Sequence, residues 1–122
     1  MAKILLAEDD GSMRGFLAAA LEKAGHEVTA TIDGLDALRA LESHTDGDFN
    51  LLLADIVMPG MDGIELAQKA AELHPSIKVM FITGFAAVAM GARNPQRTQA
   101  RVLSKPFHLR DLVDQVNQLL AA

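Results

Sequence analysis

Apolar positions along this chain switch repeatedly between two spacings. Short aliphatic or β-branched runs at residues 3–7, 27–31, 50–54, 78–82 and 101–104 each predict a strand. Between them the spacing becomes helical. Met13, Phe16, Leu17, Ala20, Leu21 and Ala24 form one stripe, and Gly25 follows it as a stop signal. Leu35, Leu38 and Leu41 form a second, and Ile64, Ala67, Ala70, Ala71 and Leu73 a third that ends before Pro75. The clearest runs through Leu109, Leu112, Val113, Val116, Leu119 and Leu120 to the C-terminus. Near-continuously apolar strands alternating with amphipathic helices predict an α/β fold, a parallel sheet covered on both faces. Right-handed crossovers narrow this to a doubly wound open sheet of five strands.

In such a sheet, ligands bind outside the carboxyl ends of the strands, where the strand order reverses. That rule selects a small set of polar residues. Glu8, Asp9 and Asp10 follow the first run, and Asp55 follows the third and opens the loop Ile56-Val57-Met58-Pro59-Gly60-Met61-Asp62-Gly63. Thr83-Gly84 follows the fourth run, and Lys105-Pro106 the fifth. Taken singly, each has an ordinary explanation. Asp10 or Ser12 can cap a helix, and an aspartate before Pro-Gly can form a turn. Coincidence at four predicted strand tips is harder to explain by packing.

Their chemistry is coherent. Two unit charges ~4 Å apart repel by about 1 kcal/mol in water and about 4 kcal/mol near a protein surface. Glu8, Asp9 and Asp55 in one crevice therefore call for a hard divalent cation, and Mg2+ suits carboxylates, waters and phosphate oxygens. A metal-bound carboxylate beside a lysine can act as a phosphoryl acceptor, with the cation and Lys105 neutralising charge on the transferring group. Asp55 is the expected nucleophile, because the irregular loop after it can bring a backbone carbonyl such as that of Val57 to the metal. The Thr83 hydroxyl would bond a phosphoryl oxygen.

Composition excludes other classes. The 122 residues suffice for one domain, and 50% hydrophobic with 4% aromatic content means an aliphatic core. Without cysteine, disulfide scaffolds and thiol chemistry are out. Net charge of −5 disfavours nonspecific nucleic-acid binding. No apolar stretch approaches the roughly 18 residues of a membrane span, and Met1-Ala2-Lys3 leads into a strand instead of a signal peptide, so a cytoplasmic location is expected.

The paired acids Glu8 and Asp9, the segment Asp55-x-x-Met58-Pro59-x-Met61-Asp62-Gly63, Thr83, and Lys105-Pro106-Phe107 stand in the order of a known pattern. The chain resembles the receiver domain of two-component response regulators, over essentially all of its length. The resemblance implies a flavodoxin-like sheet of order 2-1-3-4-5. It implies phosphorylation of Asp55, and Mg2+ held by Asp9, Asp55 and the Val57 carbonyl, with Glu8 acting mainly through a metal-bound water. Thr83 and Lys105 would hold the phosphoryl group, and the Lys105–Pro106 peptide would be cis. The phosphodonor would be a phosphohistidine on a histidine kinase or a histidine phosphotransfer protein.

Two departures concern signal readout. The family usually has an aromatic three residues before the lysine, and here that residue is Val102. Gly91 and Pro95 interrupt the segment that should form the helix between the fourth and fifth strands. A short or irregular fourth helix is therefore expected, with readout through ordering of residues 85–100 in place of an aromatic rotamer.

The chain ends with its last predicted helix, so a single receiver over 1–122 without an output domain is expected, acting through protein contacts. Ile82-Thr83-Gly84-Phe85-Ala86-Ala87-Val88-Ala89 and Ile4-Leu5-Leu6-Ala7-Glu8-Asp9-Asp10 are similar to CpdR-like single-domain receivers. That likeness implies an adaptor that, unphosphorylated, primes substrate delivery to the ClpXP protease, with a ClpX-type unfoldase as partner. A phosphorelay shuttle and a phosphate sink are the alternatives within the family. A metal-dependent aspartyl-phosphate hydrolase is the alternative of another class, but it would want an acid where Val57 stands. A flavin or nucleotide module would want a Gly-rich loop where Glu8-Asp9-Asp10 stands.

Overall fold

The computed structural model describes residues 2–84 and 101–122. The expected irregular helix over 85–100 lies outside the described residues. The elements are β1 (Lys3–Ala7), α1 (Gly11–Lys23), β2 (Glu27–Thr31), α2 (Gly34–Glu42), β3 (Leu51–Asp55), α3 (Gly63–Leu73), β4 (Lys78–Thr83), β5 (Arg101–Ser104) and α4 (Leu109–Ala121). All five strands are parallel, in the order β2-β1-β3-β4-β5, as expected. β3 starts and ends one residue later than its apolar run suggests, so Asp55 is its last residue, not the first of the loop.

Alternation along the strands builds two separate cores. Leu5, Ala7, Leu52, Ala54 and Phe81 face one side and pack with Ala37 and Leu41 of α2 and with Ile64, Leu66, Ala67 and Ala70 of α3. Ile4, Leu6, Leu51, Leu53, Met80 and Ile82 face the other, against Leu17 and Leu21 of α1 and Leu112, Val116 and Leu119 of α4. β1, β3 and β4 are apolar almost throughout because both of their faces are covered.

β2 departs from that expectation: Glu27, Thr29 and Ala30 are exposed, because an edge strand has a neighbour on one side only. The helical stripes are also narrower than their spacing suggests. Phe16 is 61% exposed and Ala24 is exposed, while Leu35, Ala71, Leu73 and Leu109 stand at the margins of their buried faces. A helix laid on a sheet buries only the residues directly beneath its axis, and the flanks of each stripe remain in solvent.

Local signals set the helix ends. Asp10, Asp33 and Asp62 each cap a helix by accepting from the backbone N–H three residues on, at 3.0, 2.8 and 2.8 Å. At the end of α1, Gly25 adopts φ +98°, Gly25 N–H donates to the Glu22 carbonyl and His26 N–H to that of Leu21. This pair of bonds closes the helix and turns the chain into β2.

Candidate functional site

The strand order reverses between β1 and β3, and their pairing in register (Ala7 opposite Ala54) brings the next residues, Glu8 and Asp55, to the same level at the sheet's carboxyl edge. Glu8, Asp9 and Asp55 each offer a carboxylate oxygen, and these atoms lie within 4.8 Å of one another. Glu8 is fully buried and Asp55 nearly so, whereas Asp9 is exposed. Asp10, by contrast, is the α1 cap and stands outside the cluster.

Lys105 comes in from beyond β5. Its amide donates to the Thr83 carbonyl at 2.7 Å, which extends the β4–β5 pairing and aims the side chain over the crevice. Its Nζ lies 3.0 Å from Asp55 Oδ2 and 3.7 Å from Glu8 Oε1. The Lys105–Pro106 peptide is cis. Asp55 Oδ1 accepts the Val57 N–H at 3.1 Å, and this bond folds the first turn of the β3–α3 loop under the carboxylate. Thr83 ends β4 and is buried, with its hydroxyl donating to the Gly84 carbonyl at 3.0 Å. Among the described residues its hydroxyl makes no hydrogen bond to the Asp55 or Lys105 side chain, so it lines the crevice without closing it.

The electrostatics show an incompletely compensated site. Burial, reinforced by the charge of Asp55, pushes the Glu8 carboxyl up to about 7, against the opposing pull of the Asp10 N–H and Lys105. Burial lowers the Lys105 ammonium, but its contacts with Asp55 and then Glu8 outweigh this and leave it raised. Glu8 Oε1 is buried without a hydrogen-bond partner, although Lys105 lies nearby. One lysine cannot neutralise three carboxylates. An orphaned buried carboxylate oxygen within a close cluster of acids is the donor set that suits a hard divalent cation.

Two supporting residues escaped the sequence reading. Arg14 Nη1 donates to the Glu8 carbonyl at 2.9 Å, reaching back from the second turn of α1. Gly63 packs directly on the backbone of Asp55. Arg14 lies four residues after the capping Asp10, a spacing that lets a long side chain return to the strand tip, but the sequence does not say that it does. Gly63 stood inside the quoted motif, with no sign of what it touches.

Comparison with known proteins agrees with this fold. Residues 4–117 match the response regulator receiver domain. The chain is 56% identical to the response regulator receiver protein CpdR of Brucella abortus, over all of this chain and 99% of that one. It is 34% identical to the sensor kinase CckA of the same organism, over 98% of this chain but only 12% of the kinase. A CheY-like receiver domain from Methanospirillum hungatei superposes with a TM-score of 0.88 at 30% identity, covering 99% of this chain and 94% of that structure. Match length, identity and the acidic strand-tip crevice all concur, and the chain belongs to the response regulator receiver domain family of two-component signalling.

Proposed function

We propose that Asp55 is the phosphoacceptor of this receiver and that Mg2+ is needed for its phosphorylation. The observation that carries this is Lys105 Nζ, 3.0 Å from Asp55 Oδ2, in a crevice that also holds the Glu8 and Asp9 carboxylates. Asp9, Asp55 and the Val57 carbonyl would hold the metal, with Glu8 reaching it through water. Bound there, Mg2+ would supply positive charge opposite the oxygens of the transferring phosphoryl group.

The chain's own residues do the rest. An Asp55 oxygen forms a bond to phosphorus while the phosphorus–nitrogen bond of a phosphohistidine breaks, and the leaving imidazole keeps the electron pair and takes up a proton. Lys105 pairs with the phosphoryl charge that Asp55 acquires. Thr83, one residue past the strand partner of Asp55, supplies a hydroxyl to a phosphoryl oxygen. The donor is a histidine kinase or a histidine phosphotransfer protein, a reading supported by the likeness to CckA.

The phosphorylated and free forms then differ in which protein they bind. We read the chain as a single receiver over residues 1–122 that acts in the cytoplasm without catalytic turnover. Full-length likeness to CpdR supports an adaptor role. In this proposal the unphosphorylated form is the one that engages a ClpX-type unfoldase. A phosphorelay shuttle or phosphate sink is the second reading, and likeness to a kinase-borne receiver favours it.

Incubation with acetyl phosphate and Mg2+, followed by intact mass measurement, tests the chemistry. One phosphoryl group should be gained, and chelation or Asp55→Asn should abolish the gain. An unlabelled wild type, or undiminished label on Asp55→Asn, defeats the reading. Capture of purified ClpX by the free protein, lost on phosphorylation, tests the adaptor role; equal capture by both forms overturns it.

A further inference from the structure

Glu8 lies one residue past the end of β1, where the peptide chain is leaving the sheet. Its N–H still donates to the Thr31 carbonyl of β2, at 3.3 Å. Its carbonyl is taken by Arg14 Nη1 at 2.9 Å. The peptide that joins Glu8 to Asp9 is thus held on one side by a guanidinium, and its plane decides where the Cα of Asp9 stands. Arg14 is itself fixed. Its amide donates to the Asp10 carbonyl at 2.8 Å, and the Asp10 amide donates to Glu8 Oε2 at 3.1 Å. These bonds close a ring through Glu8, Asp10 and Arg14. Among the described residues the Asp9 carboxylate makes no hydrogen bond or ion pair, so its aim depends on the backbone beneath it.

We propose that Arg14 is a positioning residue for divalent-cation binding: by holding the Glu8 carbonyl it presents the Glu8 and Asp9 carboxylates together to the ion. This rests on the Mg2+ reading above. Positioning and charge make opposite demands here. A guanidinium beside an acidic cluster repels a cation, so removing the charge alone would tighten Mg2+ binding. Removing the support of a ligand weakens it, commonly by about tenfold or more.

The test is a calorimetric titration of the full chain with Mg2+ alone, for wild type, Arg14→Met and Arg14→Lys, with metal-free melting curves to establish that each is folded. Arg14→Met should bind Mg2+ about tenfold more weakly despite losing a positive charge. Arg14→Lys, which keeps a donor on a long stem, should recover most of that loss. Binding by Arg14→Met as tight as wild type or tighter overturns the proposal, and so does a loss that lysine does not recover. A wild type that binds no Mg2+ instead defeats the underlying assignment of the metal site.

Discussion

Gly63 lies against the backbone of Asp55 so closely that a β-carbon built on it would overlap the Asp55 carbonyl oxygen and stand 2.9 Å from Ile56 Cα. The Gly63 amide meanwhile donates to the Ile56 carbonyl at 2.9 Å. The first residue of α3 is thereby seated on the tip of β3, and no side chain fits between them. Backbone on both sides of this contact leaves nothing flexible to yield.

Gly63→Ala should therefore destabilise the protein by about 1–3 kcal/mol, as overpacking does in a tight core, and displace the Asp55 carboxylate. Urea denaturation checks the first, and the rate of phosphorylation by acetyl phosphate the second. A substitution that changes neither would contradict the contact. Gly60, whose φ is +75° but whose Cβ would meet only Leu35 at 3.9 Å, should respond mainly through backbone strain.

Lys105→Met removes the one cation that pairs with Glu8 and Asp55 among the described residues. Breaking a fully buried pair costs roughly 3–5 kcal/mol, but Lys105 is 29% exposed, so a loss of about 1–2 kcal/mol is expected in metal-free buffer. Saturating Mg2+ should restore part of that loss by replacing the missing charge on the folded state. Denaturation midpoints with and without Mg2+ measure both effects. Equal losses in the two buffers would show that the lysine acts by packing.

Asp46 supplies a pH test remote from the crevice. Its carboxylate accepts from the Ser76 hydroxyl at 2.6 Å and the Ser76 amide at 3.0 Å, and these bonds hold its pKa below the ordinary aspartate value. A group with a depressed folded pKa stabilises above its unfolded pKa of 3.8, and that contribution disappears as pH falls through the lower folded value. Asp46→Asn should therefore be less stable than wild type at pH 6, with the difference shrinking as the medium is acidified below the aspartate range. A difference independent of pH would mean the tie to Ser76 does not depend on charge.

Leu17 and Phe16 are neighbours in α1 with opposite fates. Leu17 is fully buried under the sheet, and Phe16 is mostly exposed. Leu17→Ala should cost roughly 2–5 kcal/mol by opening a cavity. Phe16→Ala should stay within about 0.5 kcal/mol, as surface changes do. Comparable losses at both sites would place Phe16 in the core after all.

Much of this protein is legible without coordinates. The five strand runs and their helical partners follow from spacing, because an aliphatic strand covered on both faces cannot be polar and a helix on a sheet must show a stripe. Gly25 announces the end of α1, since a left-handed turn favours glycine, and the pair Asp10 and Ser12 marks its start, since free N–H groups need an acceptor. Glu8, Asp9, Asp55, Thr83 and Lys105 stand out because polar residues at the ends of apolar strands have no packing reason to be there. Pattern alone does not say which flank of each stripe is buried, and Phe16, Ala24, Leu35 and Leu73 belong to the stripes yet are exposed. Nor could it assign the capping role of Asp10 over that of Ser12.

The sequence by itself determined the fold class and the identities of the acidic and basic groups, because both are properties of spacing and of residues at strand ends. The tertiary structure alone decided how those groups meet. Parallel pairing in register sets Glu8 level with Asp55, the extension beyond β5 brings Lys105 to within 3.0 Å, and burial lifts the Glu8 carboxyl to about 7. Arg14 and Gly63 became visible only there. Their effects depend on distances of a few ångströms between residues far apart along the chain or folded back on themselves, and no local pattern encodes such distances.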